Sequence, residues 1–267
     1  MVMVEGSAMT ALITGASSGI GLEMARICAA ERRDVVLVAR SARNLAELAA
    51  ALEREHDVRA YVIAADLASS EGIERIVSRV AELRLTLEVL VNNAGFGVYG
   101  PFVQTSLEAE LQMIHVNIIA LTHLTKRLLP PMLARRSGRI LNVASTASFL
   151  PGPLMAVYYA TKAYVLSFSE ALANEVTGSG VSVSALCPGP TTSNFQQAAG
   201  LEDSKLVFGK KLPSAREVAK AGYDGMMAGK TVIIPGLSNK FIANVPRFFP
   251  RATVAKVVRG AQERRRT

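Results

Sequence analysis

The stretch Ala11-Leu-Ile-Thr-Gly-Ala-Ser-Ser-Gly-Ile-Gly21 decides the architecture. Its first three residues are apolar and read as a short buried strand. Its last residues open an amphipathic helix with Ile20, Met24, Ile27 and Cys28 on one side. Gly15, Gly19 and Gly21 stand between the two. A strand, a glycine-rich turn and a helix N-terminus form a cradle for a pyrophosphate, because the unpaired N–H groups of the first helical turn point at the anion. Gly15 would allow the tight turn, Gly19 the close approach of backbone to phosphate, and Gly21 the packing of helix on strand. The spacing is Gly-x-x-x-Gly-x-Gly, not the commoner Gly-x-Gly-x-x-Gly.

Beyond this stretch, apolar runs alternate with helical patterns. The strand candidates are 11–14, 34–39, 58–65, 87–92, 139–144, 181–187 and 231–235. Such alternation predicts an α/β fold of the Rossmann type: a doubly wound, seven-stranded parallel sheet with helices on both faces. No repeat or linker interrupts it, so residues 1–236 are expected to form a single domain. Residues 191–212 carry little pattern, as lids often do. The second strand ends at Ala39 and Arg40, followed by Ser41 and Arg43. An acidic residue about 20 positions beyond the glycine loop would bind the ribose of NAD. A guanidinium there instead binds a 2′-phosphate, which a carboxylate would repel. The expected cofactor is therefore NADP(H).

A second constellation lies in Val157-Tyr-Tyr-Ala-Thr-Lys162. Tyr158 and Lys162 are four residues apart and would share one helix face. An ammonium beside a phenol favours the phenolate, so Lys162 is expected to draw Tyr158 below its free pKa of about 10. A tyrosine so tuned exchanges a proton with a carbonyl or hydroxyl oxygen.

Assembled, these motifs resemble the short-chain dehydrogenase/reductase family in its compact single-domain branch, over roughly residues 8 to 236. Thr14-Gly-Ala-Ser-Ser-Gly-Ile-Gly21 is similar to the family's cofactor loop, which implies contacts from Gly15, Ser17, Ser18, Gly19, Ile20 and Gly21. Asp66 and Leu67 sit where the family contacts adenine. Asn92-Asn-Ala-Gly95 ends the fourth strand candidate, and Asn93, Ala94 and Gly95 resemble cofactor-contacting residues. Asn117 corresponds to the family's catalytic asparagine, and Ser145 precedes Tyr158 by the family's usual 13 residues. Pro188-Gly189 resembles the loop that orients the nicotinamide, with Thr191 and Ser193 following. The resemblance implies a catalytic set of Asn117, Ser145, Tyr158 and Lys162, with Tyr158 and Lys162 also touching the cofactor. Thr161 before the lysine, and Thr191-Thr192-Ser193 after the loop, depart from the commoner pattern.

The expected activity is hydride transfer between nicotinamide and the carbonyl or secondary alcohol carbon of a small molecule. Phe96, Phe102, Phe149, Leu150, Met155 and Phe195 favour an apolar substrate. The alternative is a catalytically silent NADP(H)-binding regulator or scaffold; the complete catalytic set argues for an enzyme. An extended-branch sugar-nucleotide epimerase is disfavoured by the short chain. Helical segments near 107–135 and 155–177 lie where the family makes subunit contacts, which implies a homodimer or homotetramer.

The chain of 267 residues contains no run of about 18 apolar residues. Its first strand starts too early for a secretory signal, so a cytoplasmic protein is expected. Cys28 and Cys187 read as core residues without a disulfide framework, and His56, His115 and His123 show no metal spacing. The net charge of +8 lies almost wholly in the tail. Residues 237–267 hold eight basic residues and one acidic, a net +7 that leaves +1 for the rest. No motif supports nucleic-acid binding. The tail is a basic amphipathic extension, not a separate domain. Docking on an anionic membrane surface is one expectation for it. The favoured one buries Phe241, Ile242, Phe248 and Phe249 against the pocket or a subunit contact, and leaves Arg264-Arg-Arg266 solvated.

Overall fold

The computed structural model describes residues 9–192 and 212–263. Strands β1 (Thr10–Thr14), β2 (Asp34–Ala39), β3 (Ala60–Ala64), β4 (Leu87–Asn92), β5 (Gly138–Val143), β6 (Val181–Leu186) and β7 (Val232–Ile233) form one parallel sheet in the order β3-β2-β1-β4-β5-β6-β7. Each begins within two residues of its expected start. Parallel neighbours need crossovers, and helices supply them. Helices α1 (Gly19–Ala30), α2 (Ala42–His56), α3 (Ser70–Glu82), α4 (Leu107–Ile114), α5 (Leu121–Arg135), α6 (Ala156–Glu175) and α7 (Ala215–Met227) fill that role.

The strands are apolar on both faces because both faces are covered. Ala11, Ile13, Val35, Leu37, Val89 and Val91 join Met24, Cys28, Leu45 and Val218 in one core layer. The intervening Leu12, Val36, Val38 and Leu90 join Ile73, Ile76, Leu124 and Met132 in the other. A period of two thus splits each strand between two cores. The strand order reverses direction at β1 and β4, and the crevice beyond the ends of those two strands is where such a sheet receives a ligand.

The chain ends in α8 (Leu237–Asn244), a 3₁₀ turn (Val245–Phe248) and α9 (Arg251–Gln262). Here the expected burial against the chain's own body fails. Phe241, Ile242, Phe248 and Phe249 are exposed. The buried residues are instead Ala243 on α8 and Val254, Val258 and Gln262 on α9. The last three recur every four residues and form one stripe. Helical phase, not apolarity alone, chose the inner face, and it left the phenylalanines outside. Cys28 and Cys187 are buried as expected, and burial pushes both thiols up to about 12. Among the described residues, no helix is long and apolar enough to cross a membrane, and no cluster of possible metal ligands occurs.

Candidate active site

A cleft of about 750 Å³ opens beyond the carboxyl ends of the central strands. At one end lies the turn between β1 and α1. Gly15 and Gly19 have φ of +67° and +56°, the left-handed region that favours glycine. Gly21 has another reason than the expected packing of helix on strand. A Cβ there would strike the Gly15 carbonyl and the Asn93 amide, so the helix can close over the turn only without a side chain. Ser18 stands at the helix N-cap, and its hydroxyl caps nothing in the first turn. Asn93 donates to the Thr14 carbonyl at 2.8 Å, which ties the loop to β4. Thr14 Oγ1 accepts from the N–H groups of Asn93 and Ala94 and donates to the Val91 carbonyl.

Gly15, Ser17, Ser18, Gly19 and Ile20 line this end, and Arg40, Ser41, Asp66, Leu67, Asn93, Ala94 and Gly95 continue the wall. Arg40 is exposed and has no ion-pair partner among the described residues. Ser41 caps α2 by accepting from the Asn44 N–H. Asp66 accepts from the Ala68 N–H, which fixes the loop after β3. Arg43 does not line the cleft; it lies along α2 in an exposed ion pair with Glu47 at 3.0 Å.

At the other end stand Ser145, Tyr158 and Lys162, with Pro188, Gly189 and Thr191 beside them. Ser193 and Phe195, and the part of the lid expectation covering 193–211, fall outside the described residues. Tyr158 is buried, and burial pushes its phenol up; a hydrogen bond with Ser145 pulls it partly back. The expected lowering by Lys162 is not what the structure shows. Lys162 is buried too, its Nζ donates to the Val143 carbonyl at 2.8 Å, and it lies 5.8 Å from the centre of the Tyr158 ring. Desolvation penalises whichever form is charged. It therefore raises the phenol and lowers the ammonium, which falls from 10.5 to about 8.

Asn117 sits behind this end, in the π-helical segment His115–Ala120 that joins α4 to α5. One extra residue in a helical turn re-aims a side chain, and such bulges recur at functional sites. Here the carboxamide turns onto the loop after β4. Its Oδ1 accepts from the Phe96 N–H, and its Nδ2 donates to the Phe96 carbonyl and to Thr161 Oγ1.

A family model described as short chain dehydrogenase matches residues 9–203. The chain belongs to the short-chain dehydrogenase family. It is 38% identical over 181 residues to the ketoacyl reductase HetN of Nostoc sp., covering 67% of this chain. It spans only 62% of that relative's length. It is 32% identical over 253 residues to the very-long-chain 3-oxoacyl-CoA reductase of Anas platyrhynchos, covering 93% of this chain and 78% of the relative. Among solved structures, the short-chain dehydrogenase of Sphingobium yanoikuyae in complex with NADPH superposes with a TM-score of 0.81 at 31% identity, covering 97% and 98% of the two chains.

Several residues of this short-chain dehydrogenase's site escaped the sequence reading. Thr14, which the loop motif contains without a role, ties β1 to the turn after β4. Thr161, a departure from the commoner pattern, holds Asn117 together with the Phe96 backbone. Asn239 of α8 fills the space where a Gly189 side chain would stand. The Gln262 side-chain amide of α9 donates to the Tyr159 hydroxyl at 2.6 Å, and the Gln262 backbone carbonyl accepts from the Tyr99 hydroxyl at 2.8 Å. The signal for Gln262 was its place in the stripe Val254, Val258, Gln262. Phe102 is exposed and Phe149 packs beside α6, so neither lines the cleft; Phe96 and Met155 do.

Proposed function

We propose that this short-chain dehydrogenase is an NADP(H)-dependent oxidoreductase acting between a carbonyl and a secondary alcohol of an apolar small molecule. The observation that carries this reading is a single cleft with a phosphate cradle and the exposed Arg40 guanidinium at one end, and Ser145 with the buried Tyr158 and Lys162 at the other. The cradle suits a pyrophosphate: two glycines at positive φ and a third with no room for Cβ. Arg40, near the end of β2, suits a 2′-phosphate. The bound nicotinamide supplies the hydride.

The chain's own residues supply position and proton. A phenol pushed up by burial is protonated at neutral pH, which suits Tyr158 to give its proton to an oxygen gaining negative charge. Ser145 donates to the same oxygen, an interaction that strengthens as charge develops. Lys162, held on Val143, binds the ribose and keeps a positive charge beside Tyr158. Gly95 leaves open the space between Asn117 and Lys162, since a Cβ there would stand 2.9 Å from Asn117 Oδ1 and 3.4 Å from Lys162 Nζ. We assign that space to the water of a proton relay. Phe96, Val116 and Met155 line the cleft with Tyr158, which favours an apolar substrate, while Leu150 packs behind them without reaching the cleft. The relatives named as 3-oxoacyl-CoA and ketoacyl reductases support a carbonyl substrate.

In this reading residues 1–236 work as one catalytic domain, and 237–267 as an extension of it that is not a separate domain. The exposed Leu107, Leu111, Ile119 and Tyr164 support a homodimer or homotetramer through α4 to α6. NADPH and NADH oxidation against a panel of aldehydes and apolar ketones tests the activity. Tight NADPH binding with no turnover of any member of the panel would refute it.

A further inference from the structure

We propose that the outer face of the C-terminal segment, residues 237–259, docks on the surface of an anionic lipid bilayer. The segment has two faces with opposite chemistry. Its inner face is committed to the protein through Ala243, Val254, Val258 and Gln262. Its outer face carries large apolar side chains that the protein does not cover. Leu237 is 83% exposed and Phe248 82%. Leu237 and Phe241 are four residues apart on α8, so they stand on one stripe, with Lys240 beside them. Phe248 and Phe249 follow in the 3₁₀ turn and its exit, and Val257 stands exposed on α9.

Cations are interleaved with these residues. Lys240, Arg247, Arg251, Lys256 and Arg259 are all exposed. Among the described residues, the only ion pair within this set is Arg259 with Glu263, at 3.7 Å. Glu263 is also the only acidic residue between 237 and 267. Exposed aromatic and aliphatic groups set among exposed cations complement a surface that is anionic outside and apolar just beneath. A second copy of this chain complements it poorly. A two-fold contact would place this face against itself, and each copy brings +7 from its tail. The first 236 residues, at +1, offer no net negative charge either.

The docked segment also backs the reaction site. The helix that bears Val257 and Lys256 on its outside presents Val254 and Val258 to Met155, Tyr158 and Tyr159 on its inside. A lipid-dissolved carbonyl compound would then reach the cleft beside the docked face. That substrate class rests on the catalytic reading above; the docking itself does not.

Co-sedimentation of the full chain with vesicles tests it. Vesicles of phosphatidylcholine mixed with phosphatidylglycerol should carry the protein down, and phosphatidylcholine alone should not. Raising salt from about 0.1 M to about 1 M, which shortens the Debye length from about 10 Å to about 3 Å, should release it. The Arg247→Gln and Lys256→Gln variants should each bind about fivefold more weakly, as expected of a cation near an anionic surface. A Phe248→Ser/Phe249→Ser double variant should stop sedimenting yet reduce a water-soluble aldehyde as the parent does. Equal binding to both vesicle types, or none to either, would overturn the proposal. So would a smaller particle in light scattering for the double variant with vesicle binding intact, since the face would then be a subunit contact. Vesicle binding reads docking without turnover, so its failure leaves the oxidoreductase reading standing, and the reverse.

Discussion

The two ends of the cleft are built in different ways. At the glycine end, recognition is a backbone property. Positive φ at Gly15 and Gly19, and the missing Cβ at Gly21, shape the turn within seven consecutive residues. At the tyrosine end, side chains from distant parts of the chain converge. Asn117 is held by Phe96 and Thr161, Tyr158 is backed by Tyr159, and Tyr159 is held by Gln262, 103 residues further on. The first end is local and pre-shaped by one turn. The second depends on burial, and burial is what sets the protonation of its groups.

Four measurements would break or sharpen that contrast. Tyr158→Phe removes the proposed acid without disturbing the glycine turn. Its kcat should fall about 10²–10⁴-fold, with NADPH affinity nearly unchanged. A rate within about threefold of the parent would remove Tyr158 from the chemistry. Arg40→Asp acts at the other end alone. Loss of a charge-assisted contact of about 1.5–3 kcal/mol should shift the ratio of kcat/KM for NADPH over NADH by about 10–100-fold. An unchanged ratio would assign the 2′-phosphate to another group.

The pH profile separates the ends without a mutation. Burial lowers Lys162 to about 8, so it is charged below that pH and neutral above it. Reductive kcat should be flat up to about pH 8 and then decline, approaching about tenfold per pH unit. A profile still flat near pH 10 would mean that the Lys162 charge is not needed. Tyr159→Phe should have the smallest effect on chemistry. It deprives the buried Gln262 amide of its hydroxyl partner, which should cost about 1–3 kcal/mol of stability in urea unfolding, with kcat within about threefold of the parent. A kcat loss as large as that of Tyr158→Phe would show that the two rings act as one unit.

The sequence by itself determined the sheet, the glycine turn and the placing of Tyr158 and Lys162 together in the cleft. Those features rest on short-range rules: apolar runs for strands buried on both faces, glycine where φ is positive, and a four-residue spacing that puts Tyr158 and Lys162 on one helix face. Tertiary structure alone decided three other things. It turned Arg43 away to Glu47 while leaving Arg40 in the cleft. It reversed the expected influence on Tyr158, because desolvation at the floor of a cleft outweighs a lysine whose ammonium is held by Val143. It also turned Phe241, Phe248 and Phe249 outward and Gln262 inward. Apolarity says that a side chain favours leaving water, but the phase of the helix and the surface it packs on decide which side chains can.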